Sequence, residues 1–247
     1  MEEALVQARR SNRRETWDEH LIQGVLKGTK LLRGAAAAQL ATLAAQCWSR
    51  EFRRGETILS KEARLPGVFA VAVGTVKLSL RRLPGEERVV RLVQPGQTFG
   101  EASALLNRPA RIEASAIADC KLVVVPAAAI FSLIERDSRC AREIVLALAE
   151  RSVELLAELE SSSMRGGVQR LAAYLDSLVH PAEGNGQCVA RLPASKTVVA
   201  ARLGMKKETL SRLLRSLAEQ RLIEVEQREI RILDRLRLAE LGSLASS

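Results

Sequence analysis

The sequence predicts an α+β protein in two halves. An antiparallel β-rich half comes first, and a long helix then leads into a winged helix-turn-helix. Three observations carry that prediction. Between residues 54 and 125, short β-prone runs alternate with turns at Pro66-Gly67, Gly74, Pro84-Gly85 and Pro95-Gly96. From 138 to 161, apolar residues recur every three or four positions. Over 195–217, two short amphipathic helices meet at a single glycine.

The totals bound the function. A chain of 247 residues is long enough for one large or two small domains, each with its own core. Thirty-eight Lys and Arg against 29 Asp and Glu leave a formal charge of +9, which favours a polyanionic partner, either nucleic acid or an acidic membrane surface. No apolar run reaches the ~18–20 residues needed to span a bilayer. Residues 1–20 hold acidic groups and many arginines without the apolar core of a secretory signal, so a cytoplasmic protein with no membrane partner is expected. The four cysteines are scattered, which suits buried, inert thiols in a reducing compartment.

Taken in order, residues 1–24 read as a polar N-terminal extension, disordered or a frayed helix. The stretch 21–48 reads as one or two short helices. The strand runs fall at 57–59, 68–73, 75–82, 88–93, 114–118 and 121–125, and such regular short strands suit an antiparallel barrel or a jelly-roll sandwich. They make 25–137 one domain. Pro126 stops the last strand. The helix over 138–163 carries Val145, Leu148, Ser152, Leu155 and Leu159 on one narrow stripe with charged flanks, the pattern of a dimer seam. The alternative is a helix packed on its own domain. Residues 161–167 read as a small, polar hinge. A domain over 164–240 then holds a helix at 168–179, a loop at 181–187, a strand near 189–192, the two short helices, and a wing hairpin at 222–225 and 229–233. Residues 241–247 are left as a tail.

Within 195–217, Ser195 or Thr197 offers an N-cap oxygen, and Gly204 supplies the left-handed residue of a tight turn. The second helix starts near Lys206 and buries Leu210, Leu213, Leu214 and Leu217. Glu208, Ser211 and Arg212 stand at i, i+3 and i+4 and project together, with Lys207 beside them. Arginine can bind guanine bidentately, glutamate can accept from cytosine, and serine can serve either way. The N-terminal part of such a second helix enters the DNA major groove. Lys206, Ser195 and Thr197 are the candidates for phosphate contacts, which position without specifying sequence. The bland alternative is a helical hairpin with a solvated charged face.

The run Glu208-Thr-Leu-Ser-Arg212 resembles the E-x-x-S-R signature of the fumarate–nitrate regulator branch of the catabolite-activator and fumarate–nitrate regulator (CRP/FNR) superfamily. Lys207 stands where the catabolite activator has the first arginine of its R-E-x-x-x-R pattern. The segment Leu92-Val-Gln-Pro-Gly-Gln-Thr-Phe-Gly-Glu101 resembles the P-G-x-x-F-G-E run of the superfamily's cyclic-nucleotide-binding-like β-roll, so the resemblance covers about 25–240. It implies a β-roll sensor domain, a dimerisation helix and a winged helix-turn-helix. It also implies an inverted repeat of TTGAT half-sites, RNA polymerase as a partner, and transcription activation in response to a small effector.

The resemblance also frames the effector. The superfamily's nucleotide sensors carry Gly-Glu, about ten residues, then Arg-Ser; here Gly100, Glu101 and Arg111 match, but Ile112 replaces the serine. Where the adenine-contacting Thr-Ser pair would sit on the dimer helix, the chain has Leu155 and Leu156, which cannot hydrogen-bond a purine. Cyclic AMP is therefore not the expected effector, and Gly100, Glu101 and Arg111 read better as a structural turn with an internal ion pair. A cyclic-nucleotide-responsive regulator stays as the alternative. An iron–sulfur cluster would need clustered N-terminal cysteines, and only Cys47 precedes the strands. The stretch 170–238, with Tyr174-Leu175 and Arg228-Glu-Ile-Arg-Ile-Leu-Asp-Arg235, looks closest to the dissimilatory nitrate-respiration (Dnr-type) regulators, which sense nitric oxide through haem. Haem thus stays open. His20, His180, the four cysteines and the methionines are the available ligands, and none is singled out. No Ser/His/Asp set, metal-spaced histidine pair or phosphate-binding loop points to an enzyme. A binding or scaffold protein with a vestigial helix-turn-helix is the remaining rival.

Overall fold

The computed structural model describes residues 17–83, 86–164, 166–181 and 188–243. The chain divides into two compact units, Met1–Leu80 with Arg91–Arg151, and Arg81–Val90 with Ser152–Ser247.

The first unit opens with helix α1 (Glu19–Lys27), capped by Asp18, whose carboxylate accepts from the His20 amide at 3.1 Å. Its start lies inside the stretch expected to be a polar extension, because Ile22 and Leu26 give it a face to bury. Residues 1–16 lie outside the described part. A 3-10 turn (Lys30–Leu32) leads to α2 (Ala37–Ala44), whose first exposed amide is taken by the Gln39 side chain at 2.7 Å from Ala36 N. The helical reading to residue 48 overshoots. The chain leaves the helix after Ala45, and Trp48–Phe52 forms strand β1, held by antiparallel pairing with Cys120–Val125 rather than by its own weak strand pattern.

The other strands are β2 (Thr57–Leu59), β3 (Val68–Val73), β4 (Val76–Leu83), β5 (Glu86–Val93), β6 (Thr98–Phe99), β7 (Glu113–Ala116) and β8 (Cys120–Val125). They form two four-stranded sheets, ordered β1-β8-β3-β6 and β2-β7-β4-β5, and the pairings with a described register are antiparallel. Inside this roll, Phe52, Ile58, Phe69, Val71, Leu78, Phe99, Leu122 and Val124 pack together, with Phe69 and Phe99 stacked at 5.0 Å. The opposite faces of β3 and β8 (Val68, Ala70, Val123 and Val125) meet the helices instead. That explains why both strands read as unbroken apolar runs rather than alternating ones: each is buried on two sides.

Two further helices complete the first unit's set: α3 (Glu101–Leu105), absent from the sequence reading because five residues carry too little periodicity, and α4 (Ala127–Arg136), which starts straight after Pro126. Helix α5 spans Ser138–Met164. It begins on an Asp137 cap, whose Oδ1 accepts from Arg139 N at 2.8 Å and Cys140 N at 3.2 Å, while Oδ2 accepts from Gln39 Nε2 at 2.6 Å. It runs through Ser161-Ser-Ser-Met164, so the hinge expected there is helical up to Met164. Three serines lower helix propensity only slightly once 23 residues already propagate the helix.

The second unit holds α6 (Gly167–Ser177) and a sheet of β9 (Val179–Pro181), β10 (Cys188–Arg191), β11 (Ile223–Glu226) and β12 (Glu229–Ile232), ordered β11-β12-β10-β9. Helices α7 (Lys196–Arg202), α8 (Lys207–Glu219) and α9 (Arg235–Ser243) pack with it. The last reaches three residues into the expected tail. Leu238 is fully buried, and a Cβ on Gly242 would stand 2.9 Å from Ala173 N and 3.0 Å from its Cα, so α9 and α6 touch backbone to backbone. Leu171, Leu175, Val199, Leu210, Leu217, Leu222 and Ile230 form the unit's core, each 1 % exposed or less. Burying such side chains stabilises by roughly 1.5–3 kcal/mol apiece.

Candidate nucleic-acid interface and effector site

Ser195 caps α7, its Oγ accepting from Val198 N at 3.4 Å. The helix ends in a Schellman motif: Met205 N bonds Ala200 O at 3.0 Å, and Gly204 N bonds Ala201 O at 3.3 Å. Gly204 sits at φ +64°, the left-handed value that the motif needs. Three residues later α8 begins, with Lys206 as its cap residue. Leu210, Leu214 and Leu217 are buried, and Leu213 is half-buried. On the other side Lys206, Lys207, Glu208, Ser211, Arg212 and Arg215 are all exposed, as are Ser195 and Thr197. Among the described residues, Glu208 and Arg212 make no ion pair, so both heads are available to a partner. Glu208 lies in the helix's first turn, where the positive end of the helix dipole favours a carboxylate.

The wing is built differently. Arg231 pairs with Glu224 at 3.7 Å and Glu226 at 3.1 Å, and Arg191 stands 3.8 Å from Glu229, so much of its charge is spent internally.

On α5 the exposed large apolar positions among the described residues are Val145 (63 %), Leu146 (40 %), Val153 (67 %), Leu155 (39 %) and Leu156 (65 %), and Ser152 is also exposed. Leu148, placed on the expected seam, packs against the first unit's own core beside the buried Ile144 and Cys140. Packing against its own unit takes up the Leu148 side of the helix, while Val145, Ser152 and Leu155 of the expected stripe stay exposed. The Leu159 side chain lies outside the described ones.

In the roll, Gly100 caps α3 at φ +85°, and a Cβ there would meet Leu65 Cδ2 at 2.5 Å. Glu101 follows it, half-buried, while Arg111 is exposed. The internal ion pair expected between them is absent among the described residues, because Arg111 turns to solvent rather than into the roll. Ile112 packs against the roll's core.

Burial pushes the Cys47 thiol up to about 12, and its Sγ donates to Leu43 O at 3.1 Å. Burial likewise raises Cys120 and Cys140, whose Sγ atoms also donate to carbonyls. His20 is exposed, and the His180 side chain lies outside the described ones. A groove between α2 and α4, lined by Gln39, Leu43, Ala129, Leu133 and Arg136, has a volume of about 80 Å³, well below the ~300–1,000 Å³ of ligand sites. No cluster of three or more His, Cys, Asp or Glu among the described residues is placed to hold a metal ion. No helix among them is long and apolar enough to cross a membrane.

Two family models match the chain: the cyclic nucleotide-binding domain over residues 49–137, and the Crp-like helix-turn-helix domain over residues 169–241. A cyclic AMP receptor protein from Thermus thermophilus is 29% identical over 216 residues, covering 85% of this chain and 98% of its own. The transcriptional activator FnrA from Stutzerimonas stutzeri is 24% identical over 78% of this chain and 80% of its own. Among solved structures, a CRP/FNR-family regulator from Thermus thermophilus is 25% identical with a TM-score of 0.61, covering 80% of this chain and all of its own. FixK2 from Bradyrhizobium japonicum, 22% identical with a TM-score of 0.70 over 81% of this chain and 99% of its own, shares the fold. With a β-roll of the cyclic-nucleotide-binding type followed by a Crp-like helix-turn-helix, the chain belongs to the CRP/FNR family of DNA-binding transcription regulators.

Proposed function

We propose that the protein is a cytoplasmic homodimer that reads an inverted repeat of TTGAT half-sites and acts on transcription through RNA polymerase, under control of a small effector at the β-roll. The observation that carries the reading is the outward display of Glu208, Ser211 and Arg212 on the first turns of α8, opposite the buried Leu210, Leu214 and Leu217. In this reading Arg212 takes a guanine, Glu208 accepts from a cytosine, Ser211 meets a neighbouring base, and Lys207 supports them. Ser195, Thr197 and Lys206 hold phosphates, with the α7 N-terminus adding its dipole. Dimerisation through α5 sets the two reading helices ~34 Å apart, one turn of DNA. The apolar side chains exposed on that helix support it.

Fluorescence anisotropy with a TTGAT inverted-repeat duplex and a scrambled duplex tests the proposal. Preference for the repeat by at least about 10³-fold is expected of a specific regulator. Equal affinity for both duplexes would refute it.

The effector is not cyclic AMP in this reading: Ile112 offers no hydroxyl to a phosphate, Arg111 faces solvent, and Leu155 and Leu156 offer nothing to a purine. Calorimetric titration with cyclic AMP should give no saturable heat at micromolar ligand, and one site per chain with strengthened DNA binding would overturn the claim. The version in which haem senses nitric oxide draws less support, since the Cys47, Cys120 and Cys140 thiols all donate to backbone carbonyls. A Soret band in the purified protein would reinstate it.

A further inference from the structure

We infer that Arg170, on α6, is a positioning residue for DNA reading: it touches no base, and it sets the angle at which α8 leaves the turn. The inference rests on the proposal that α8 is the reading helix.

The Arg170 guanidinium donates from Nε to the Leu203 carbonyl at 2.9 Å, across 33 residues of sequence. Leu203 is the last residue before the left-handed Gly204, and its backbone is the pivot of the turn. The carbonyls of Val199, Ala200 and Ala201 are already satisfied by the amides of Leu203, Met205 and Gly204. The Leu203 carbonyl lies beyond that set, on a residue only 8 % exposed, and Arg170 is the donor that takes it. A cation at that point also complements the negative end of α7. The same end of α6 is fitted closely to the reading helix. A Cβ on Gly167 would stand 3.3 Å from Leu213 Cδ1 and 3.9 Å from Met205 Cε. The first turn of α6 therefore grips the turn and the back of α8 together, and Arg170 is its one directional bond to the pivot among the bonds described here.

Direction matters more than strength. A tilt of about 10° over a lever of about 10 Å moves a reading atom by about 1.7 Å, whereas a recognition constellation tolerates about 0.5 Å. Phosphate contacts by flexible lysines absorb such a shift, but bidentate base contacts do not. Loss of Arg170 should thus degrade discrimination while leaving the electrostatic part of binding intact.

The test uses Arg170→Gln and Arg170→Lys in the full chain. Affinities for the repeat and for the scrambled duplex are measured at several salt concentrations, and each variant's fold is checked by thermal melting. The expected result for Arg170→Gln is a repeat-to-scrambled ratio at least 10-fold lower than wild type, with an unchanged salt slope. Arg170→Lys, which keeps the charge and a donor without the planar fork, should recover part of the ratio. An unchanged ratio in a folded Gln variant overturns the inference. So does a salt slope shallower by about 1.8 units, one contact of about 0.9 unit per protomer, which would make Arg170 a phosphate contact. If Arg170→Gln fails to fold, Arg170→Lys decides alone: a lowered ratio at constant slope supports positioning, and a wild-type ratio overturns it. A wild-type protein that does not prefer the repeat would instead refute the parent proposal.

Discussion

Replacing Arg212 by alanine is the most direct probe of the reading face. The side chain is exposed and makes no ion pair among the described residues, and alanine is a better helix former, so the fold should change by less than about 0.5 kcal/mol. Any large effect on binding then belongs to the DNA contact. A bidentate arginine–guanine pair is worth roughly 1–3 kcal/mol of discrimination. A symmetric dimer loses it twice, so the low end, about 2 kcal/mol, is already about a 30-fold loss on the repeat. On scrambled DNA the loss should be several-fold at most. Lys206→Ala supplies the contrast. Each phosphate contact contributes about 0.9 unit of salt slope, so two per dimer remove about 1.8 units, about a 12-fold smaller fall in affinity between 50 and 200 mM salt, equally on both duplexes. Anisotropy titrations of both variants on both duplexes give all four numbers. If Arg212→Ala loses the same affinity on the two duplexes, the arginine is a phosphate clamp and the reading face lies elsewhere.

Other outcomes follow from the packing. Gly204→Ala meets nothing within 4 Å, so it should cost only the left-handed strain of about 1–2 kcal/mol, less ~0.4–1 kcal/mol from a stiffer unfolded chain. Gly74→Ala places a Cβ 2.3 Å from Asp119 O and should cost about 2–5 kcal/mol, and thermal melts showing the reverse order would contradict this account. Val145→Glu with Leu156→Glu should give folded monomers by sedimentation, since both side chains face solvent in one chain, whereas Leu148→Glu should destabilise the first unit itself. The amide of Gln39, with those of Cys140 and Arg139, holds the Asp137 carboxyl below its usual range. A depressed folded-state value stabilises fully above the unfolded pKa of ~3.9 and is lost as pH falls through the lower value, so Asp137→Asn should flatten the acid edge of the stability curve.

The turn and helix α8 were legible because local rules act over few residues. Gly204, the Leu210-Leu214-Leu217 stripe and the polar face opposite it are fixed by helix period and turn chemistry alone. The strands at 68–73 and 121–125 were legible for a related reason, since burial on two faces leaves an unbroken apolar run. Strand β1 was not, because Trp48-Ser-Arg-Glu-Phe52 carries no alternation to speak of and exists by pairing with β8. The Glu101–Arg111 ion pair misled because sequence spacing gives no side-chain direction.

By itself, then, the sequence determined the order of the two halves and which residues lie on the exposed side of α8, since these follow from short apolar strand runs between turns and from the 3.6-residue helix period. Only the tertiary structure decided which face of α5 is left to solvent, which thiols are buried, and which carbonyl Arg170 satisfies. Those depend on contacts between residues tens to a hundred positions apart, such as Arg33 with Glu143 at 3.2 Å or Arg170 with Leu203, and no local pattern encodes the direction in which a side chain finds so distant a partner.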